Sequence, residues 1–255
     1  MNLSFFHPEK PVYRRPQPAA VLDLPGAHFF ALYRGARTGG DFYDFAHIGN
    51  RVLTLFCDIS GKRDEALHIA AAVQDAFQQY APKLFGGKDI NDSDRLTDLL
   101  LIVNRTILET AKGPRFTPAF LCCFDLDLGT LTYINAGHLP ALTRDGEGIG
   151  SLDASGLPLG LFTHITHDPQ FCVLRPGTSL LLVSRGVIET KRHREEFGIE
   201  RVKESLLAAQ FENASELCTA IQAAAQRFLD NKLPENDLTT LAMVRPQAVA
   251  QSMSA

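Results

Sequence analysis

The chain has no excess of basic charge. Its 25 Lys and Arg stand against 29 Asp and Glu, a net charge of −4 over 255 residues. That excludes the electrostatic footprint of a nucleic-acid binder or an anionic-membrane binder. Its five cysteines contain no C-x-x-C pair, so neither a disulfide framework nor a thiolate zinc site is expected. Unbroken apolar runs are short: Leu99 to Val103 falls far below the length that crosses a bilayer. The opening residues Met1 to Pro8 lack a basic region followed by an apolar stretch, which gives the expectation of a cytoplasmic location. The phosphate loop G-x-x-x-x-G-K-[ST], H-E-x-x-H and G-x-S-x-G are all missing.

What is present is globular: 45% hydrophobic and 21% charged residues can bury a sizeable core. Residues 1–26, rich in proline, read as an arm, residues 27–245 as a single domain and 246–255 as a flexible tail. Within the domain, His28 to Tyr33, Phe42 to Ile48 and Arg51 to Asp58 read as strands, the last two joined by a Gly49-Asn50 turn. The apolar spacing from Leu67 to Phe77 predicts a long helix ended by Pro82 and Gly86-Gly87. A second helix is expected to start after Asp92 or Ser93, either of which suits an N-cap, and to stop before Gly113-Pro114. Ala119 to Asp125 and Thr130 to Asn135 form a hairpin pattern, in which Cys122 and Cys123 point to opposite faces. Leu180 to Val183 is a strand. Ile199 to Ala209 is a helix, Asn213 with Glu216 is a capping box for another, and Leu238 to Val244 is the last strand. Strands and helices come in blocks rather than in strict alternation. That predicts an α+β fold of antiparallel sheets with helices outside.

The candidate chemistry lies in acidic turns. Gly39-Gly40-Asp41 puts a carboxylate behind two glycines at a strand mouth, and Asp58-Ile59-Ser60-Gly61 puts another where a buried strand ends. Oxygen donors of this kind suit Mg²⁺ or Mn²⁺. Asp41 and Asp44 are three apart on one strand, so only one of them can join a site that contains Asp58. His164-Ile165-Thr166-His167 has the spacing of a ligand pair but no third ligand in view, and Lys191 to Arg194 followed by Glu195-Glu196 reads as a solvated loop.

Six segments, in order, resemble one family. They are Gly39-Gly40-Asp41-Phe42-Tyr43-Asp44-Phe45, Asp58-Ile59-Ser60-Gly61-Lys62 and Tyr133-Ile134-Asn135-Ala136-Gly137-His138. Then come Gly156-Leu157-Pro158-Leu159-Gly160, Val183-Ser184-Arg185-Gly186-Val187-Ile188-Glu189 with Phe197-Gly198, and Glu235-Asn236-Asp237-Leu238-Thr239. Together they resemble the SpoIIE-like branch of the PPM-type (type 2C) protein serine/threonine phosphatases. The resemblance implies an α/β/β/α sandwich and hydrolysis of phosphoserine or phosphothreonine by a water bridging two Mn²⁺ or Mg²⁺ ions. It implies that Asp41, Asp58, the Ile59 carbonyl and Asp237 sit at metal positions. Two further metal aspartates of the family are replaced, by Arg185 and by Asn236.

Three expectations follow from the resemblance and these replacements. At most one ion binds well. Asp41 and Asp58 meet in one cleft, with Arg185 pointing in to pair with one of them. The partner is a phosphorylated regulatory protein of the anti-sigma-factor-antagonist type, either dephosphorylated or, in a pseudophosphatase, bound without hydrolysis.

Overall fold

The computed structural model describes residues 14–35, 40–234 and 236–247. The first part of the expected arm, Gly39, Glu235 and most of the expected tail lie outside these residues. The strands and helices in chain order are β1 (Leu22–Leu24), β2 (Ala27–Arg34), β3 (Asp41–Ile48), β4 (Arg51–Asp58), α1 (Arg63–Phe85) and α2 (Asp92–Ala111). Next are β5 (Ala119–Asp125), β6 (Thr130–Ala136), β7 (Ala141–Arg144), β8 (Ile149–Leu152), β9 (Gln170–Val173), β10 (Ser179–Val183) and α3 (Arg185–Ile188). The chain then forms β11 (Lys191–Arg192), β12 (Glu195–Glu196), α4 (Gly198–Ala208), α5 (Ala214–Phe228) and β13 (Leu238–Val244).

Two antiparallel sheets result, one in the order β1-β2-β13-β10-β7-β8 and the other β3-β4-β5-β6-β9, with β11 and β12 as a small separate hairpin. Alternation along each strand sorts side chains into three apolar layers. On β4, Leu53, Leu55 and Cys57 face α1 and α2, while Val52 and Phe56 face the other sheet. On β5, Leu121 and Cys123 take the helix side, and Phe120, Cys122 and Phe124 the inter-sheet side. On the second sheet, Leu180, Leu182, Leu241 and Met243 close the middle layer, and Leu181, Val183, Ala242 and Val244 pack under α4 and α5. The fold is therefore an α/β/β/α sandwich. The middle layer is rich in phenylalanine, and each fully buried ring contributes about 1.5–3 kcal/mol.

Several boundaries differ from the sequence reading. β1 precedes the expected start at His28 and pairs with β2. Residues upstream of it lie along α1, with Arg14 paired to Asp75 at 2.8 Å and the Gln74 side-chain oxygen accepting from the Gln17 amide. Pro82 does not end α1. The helix continues to Phe85 because Ala81 and Phe85 are buried in the core, and that burial offsets the bond lost at proline. Asn91, rather than Asp92 or Ser93, caps α2, its side chain accepting from the Ser93 and Asp94 amides. Among the described residues, no helix is long and apolar enough to cross a membrane.

Candidate functional site

The same period-2 rule that builds the middle layer places the acidic pair. Phe45 on β3 and Phe56 on β4 face the inter-sheet layer, so Asp41 and Asp58 emerge on that face, at the end of it. The two are direct register partners, as Asp41 pairs with Asp58 across β3 and β4. Opposed residues on antiparallel strands stand about 4.5–5.5 Å apart at Cα. Asp44 faces the other way and accepts from Gln78 of α1 at 2.8 Å, so Asp41 is the partner of Asp58.

The second sheet meets the pair with hydroxyls. Ser184 follows Leu182 by two residues and Thr239 precedes Leu241 by two, so both project toward the same layer. The Thr239 hydroxyl donates to Asp41 at 2.6 Å, and the Thr239 amide donates to the Ser184 hydroxyl at 3.1 Å. Neither residue stood out in the sequence, although the alternation from Leu182 and Leu241 carries the signal. Burial pushes the Asp41 carboxyl up to about 7; the Thr239 hydroxyl opposes that, and the charges of Asp58 and Asp237 add to it. Burial also raises Asp58, with Arg185 pulling it down and Glu189 pushing it up.

Backbone geometry at the turn is tight. The Ile59 amide donates to the Gly40 carbonyl at 3.0 Å, and any Cβ on Gly40 would collide with the Ile59 carbonyl oxygen. Glycine is required there so that this oxygen can lie against the mouth of β3. Asp237 is buried, its carbonyl accepting from the Ser184 hydroxyl at 3.4 Å, and its charge is felt by Asp41. Among the described residues, no group of three or more His, Cys, Asp or Glu side chains is arranged to hold a metal. The oxygen set at the turn is thus two carboxylates and a backbone carbonyl.

Arg185 departs from expectation. It opens α3 and its guanidinium binds Glu189 one turn later, at 2.9 Å from Nη2 and 3.1 Å from Nε, rather than Asp41 or Asp58. The i,i+4 spacing lets the pair form within one helical turn, without the cost of burying a cation: the Arg185 side chain is 52% exposed. Arg185 and Glu189 still line one hollow of about 340 Å³ with Asp58, His138 and Phe116. Asn236 is exposed and lines a different hollow, beside Lys191 and Lys232.

Other motif residues are scaffolding. Asn135 donates to the Leu139 and Leu152 carbonyls and accepts from the His138 amide, which fixes the turn after β6. Burial lowers His138 to about 4, so its ring is neutral and uncharged in the hollow wall. The His167 ring bonds the Leu157 carbonyl at 2.7 Å and His164 is exposed, so the H-x-x-H spacing forms no ligand pair.

Comparison with known proteins agrees with this architecture. The chain is similar to Protein IcfG of Synechocystis sp., 25% identical over 250 residues covering 89% of the chain and 39% of that protein. It is also similar to the phosphoserine phosphatase RsbU of Bacillus subtilis, 24% identical over 200 residues covering 78% of the chain and 55% of RsbU. The chain thus spans roughly two-fifths to just over half the length of these relatives. In fold it resembles the SiaA-PP2C domain of Pseudomonas aeruginosa, with a TM-score of 0.70, 19% identity and coverage of 85% and 84% of the two chains. It also resembles the catalytic domain of the serine/threonine protein phosphatase PstP in complex with two manganese ions, with a TM-score of 0.63, 13% identity and coverage of 87% and 100%. Residues 48–246 match the family model of Stage II sporulation protein E (SpoIIE), and with that match over most of its length the chain belongs to the SpoIIE family.

Proposed function

We propose that this chain is a PPM-type phosphatase that removes phosphate from phosphoserine or phosphothreonine of a cytoplasmic regulatory protein, at the Asp41/Asp58 end of the sandwich. The observation that carries the reading is the register pairing of Asp41 with Asp58, beside a carbonyl that only glycine at position 40 admits. This donor set fits one hard divalent ion, Mn²⁺ or Mg²⁺, since such ions are held by one or two carboxylates with waters completing the shell. Asp58, Asp41 and the Ile59 carbonyl would hold it, with Asp237 adding negative charge that Asp41 feels. A bound ion supplies neutralisation of phosphoryl charge and a more acidic water.

The chain's own residues set the conditions. Asp41, held up to about 7, must give up its proton to take a cation, so cation affinity rises with pH through neutrality. Thr239 fixes the orientation of Asp41. Arg185, once released from Glu189, presents a planar fork that matches phosphoryl oxygens. With Arg185 and Asn236 where the family resemblance puts aspartates, one ion rather than two is held well.

The description of RsbU as a phosphoserine phosphatase supports the substrate class, and the family resemblance supports an anti-sigma-factor antagonist as the protein that carries it. A second reading, recognition of the phosphoprotein without hydrolysis, is favoured by one observation: Arg185 lines the hollow that also holds Asp58. A phosphoserine-bearing antagonist protein, incubated with the chain and Mn²⁺, separates the two. Release of phosphate that depends on Mn²⁺ supports the first. Retained binding with no release supports the second and rejects the first.

A further inference from the structure

Arg115 lies between α2 and β5, outside every motif discussed above. Its Nη1 donates to the Ser60 carbonyl at 3.4 Å and its Nη2 to the Glu65 carboxylate at 3.2 Å. Ser60 belongs to the turn that follows Asp58, and Glu65 to the first turn of α1. One planar group therefore joins that turn to the helix. The surrounding backbone reinforces the join: the Asp58 amide donates to the Pro118 carbonyl at 2.9 Å, and the Ser60 amide to the Phe116 carbonyl at 3.1 Å. Arg115 itself is anchored through its amide to the Gly160 carbonyl at 2.6 Å. Gly61 has φ +121°, and a Cβ there would collide with Arg115 Nη1. Glycine is needed both for that conformation and to let the guanidinium lie against the turn. The Arg115 side chain is 23% exposed and that of Glu65 39%, so the guanidinium is the more enclosed partner of a partly solvated pair.

We propose that Arg115 is a positioning residue for the Asp58–Gly61 turn, and that through it Arg115 sets the direction of the Ile59 carbonyl and the affinity of the acidic pair for a divalent cation. The inference rests on the proposed cation site. Groups that orient ligands from behind typically govern metal affinity by 10–100-fold. Lysine at 115 can still meet Glu65 but cannot hold both acceptors in one plane.

The test uses the full chain and Mn²⁺ as the probe. Calorimetry on wild type and Asp58→Asn first establishes the site, with binding expected in the former and lost in the latter. Arg115→Ala is then expected to bind Mn²⁺ about 10–100-fold more weakly. In the metal-free protein it is expected to speed hydrogen exchange at the Ile59 and Ser60 amides while leaving exchange in β5 and α2 unchanged. Arg115→Lys is expected to recover part of the affinity, and Glu65→Gln to lose only about three-fold. If Arg115→Ala does not fold, the lysine and Glu65→Gln variants carry the same comparison. Unchanged Mn²⁺ affinity with unchanged exchange at residues 59 and 60 overturns the role of Arg115. Mn²⁺ binding that Asp58→Asn leaves intact overturns the cation site itself, and the role of Arg115 with it.

Discussion

The two sheets contribute unequally to the site. The five-stranded sheet supplies Asp41 and Asp58, opposed on adjacent strands, and the tight turn at Ile59. The six-stranded sheet supplies the Thr239 and Ser184 hydroxyls and leads into Arg185, which turns to Glu189. At the ends of that sheet the chain carries a cation, Arg185, an amide, Asn236, and one buried carboxylate, Asp237. The sheets meet through an apolar layer and, at the site, through the Thr239–Asp41 hydrogen bond, so the difference teaches that strand register within one sheet can hold an acidic pair whatever residues end the other. A carboxylate pair fixed by strand register does not need the opposite sheet to stay together.

The largest expected effect tests the burden on the five-stranded sheet. Asp41 has a native value of about 7 against an ordinary 3.8, so the folded protein holds its proton more tightly than the unfolded chain does. In metal-free protein, stability is therefore highest below pH 4 as far as this group is concerned. It falls as pH rises through the window from about 4 to 7, by at most on the order of 4 kcal/mol. Urea denaturation of wild type and Asp41→Asn across pH 4–8 checks this. The variant should lose that slope and be the more stable of the two at pH 8. Equal slopes would mean that Asp41 is ionised at no cost, and that the contrast between the sheets is not electrostatic.

Asp58→Asn comes next. It removes the carboxylate opposed to Asp41, and Mn²⁺-dependent turnover of p-nitrophenyl phosphate should fall at least about 100-fold, near 3 kcal/mol of transition-state stabilisation. The same assay on Arg185→Asp with Asn236→Asp addresses the other sheet. Restoring both carboxylates should add a second Mn²⁺ binding event in calorimetry and raise turnover about ten-fold, near 1.4 kcal/mol. No second event would show that the six-stranded side lacks the geometry as well as the charge.

The smallest effect lies at the contact between the sheets. Thr239→Val removes the hydroxyl that donates to Asp41, worth about 1 kcal/mol, so the Asp41 carboxyl should titrate higher by less than one pH unit. Carbon-detected titration of the Asp41 carboxyl reads this directly.

How much of this was legible in the sequence depended on how local each feature is. The long periodic elements were readable because burial on a fixed period is written into consecutive residues, as in Leu53, Leu55 and Cys57 against Val52 and Phe56. The hairpin of β7 and β8 was not, since four-residue strands with glycine at 146, 148 and 150 leave too little pattern. Nor was α3, a single turn after β10. The start of α2 was ambiguous because Asn91, Asp92 and Ser93 can each cap a helix, and only geometry selects Asn91. At the site, Asp41 and Asp58 were readable from glycine-flanked turns. The choice of Arg185 between Glu189 and the acidic pair was not, because two anions compete and desolvation favours the one nearer solvent. Arg115 was silent because its two acceptors lie 50 and 55 positions earlier in the chain.

The pairing of β3 with β4 runs through eight residue pairs, from Ile48 opposite Arg51 beside the Gly49-Asn50 turn to Asp41 opposite Asp58 at the far end. That is a lever about 24 Å long. A slip of one residue at the turn end would put Cys57 opposite Asp41 and send Asp58 into the apolar layer under the helices. The hairpin therefore works as a ruler with only two readings, assembled or abolished. Selection acting on the acidic pair is at the same time selection on the length of a turn that never touches it. β7 and β8 end instead on an apolar pair, Ala141 opposite Leu152, where a slip would cost burial but separate no acidic pair.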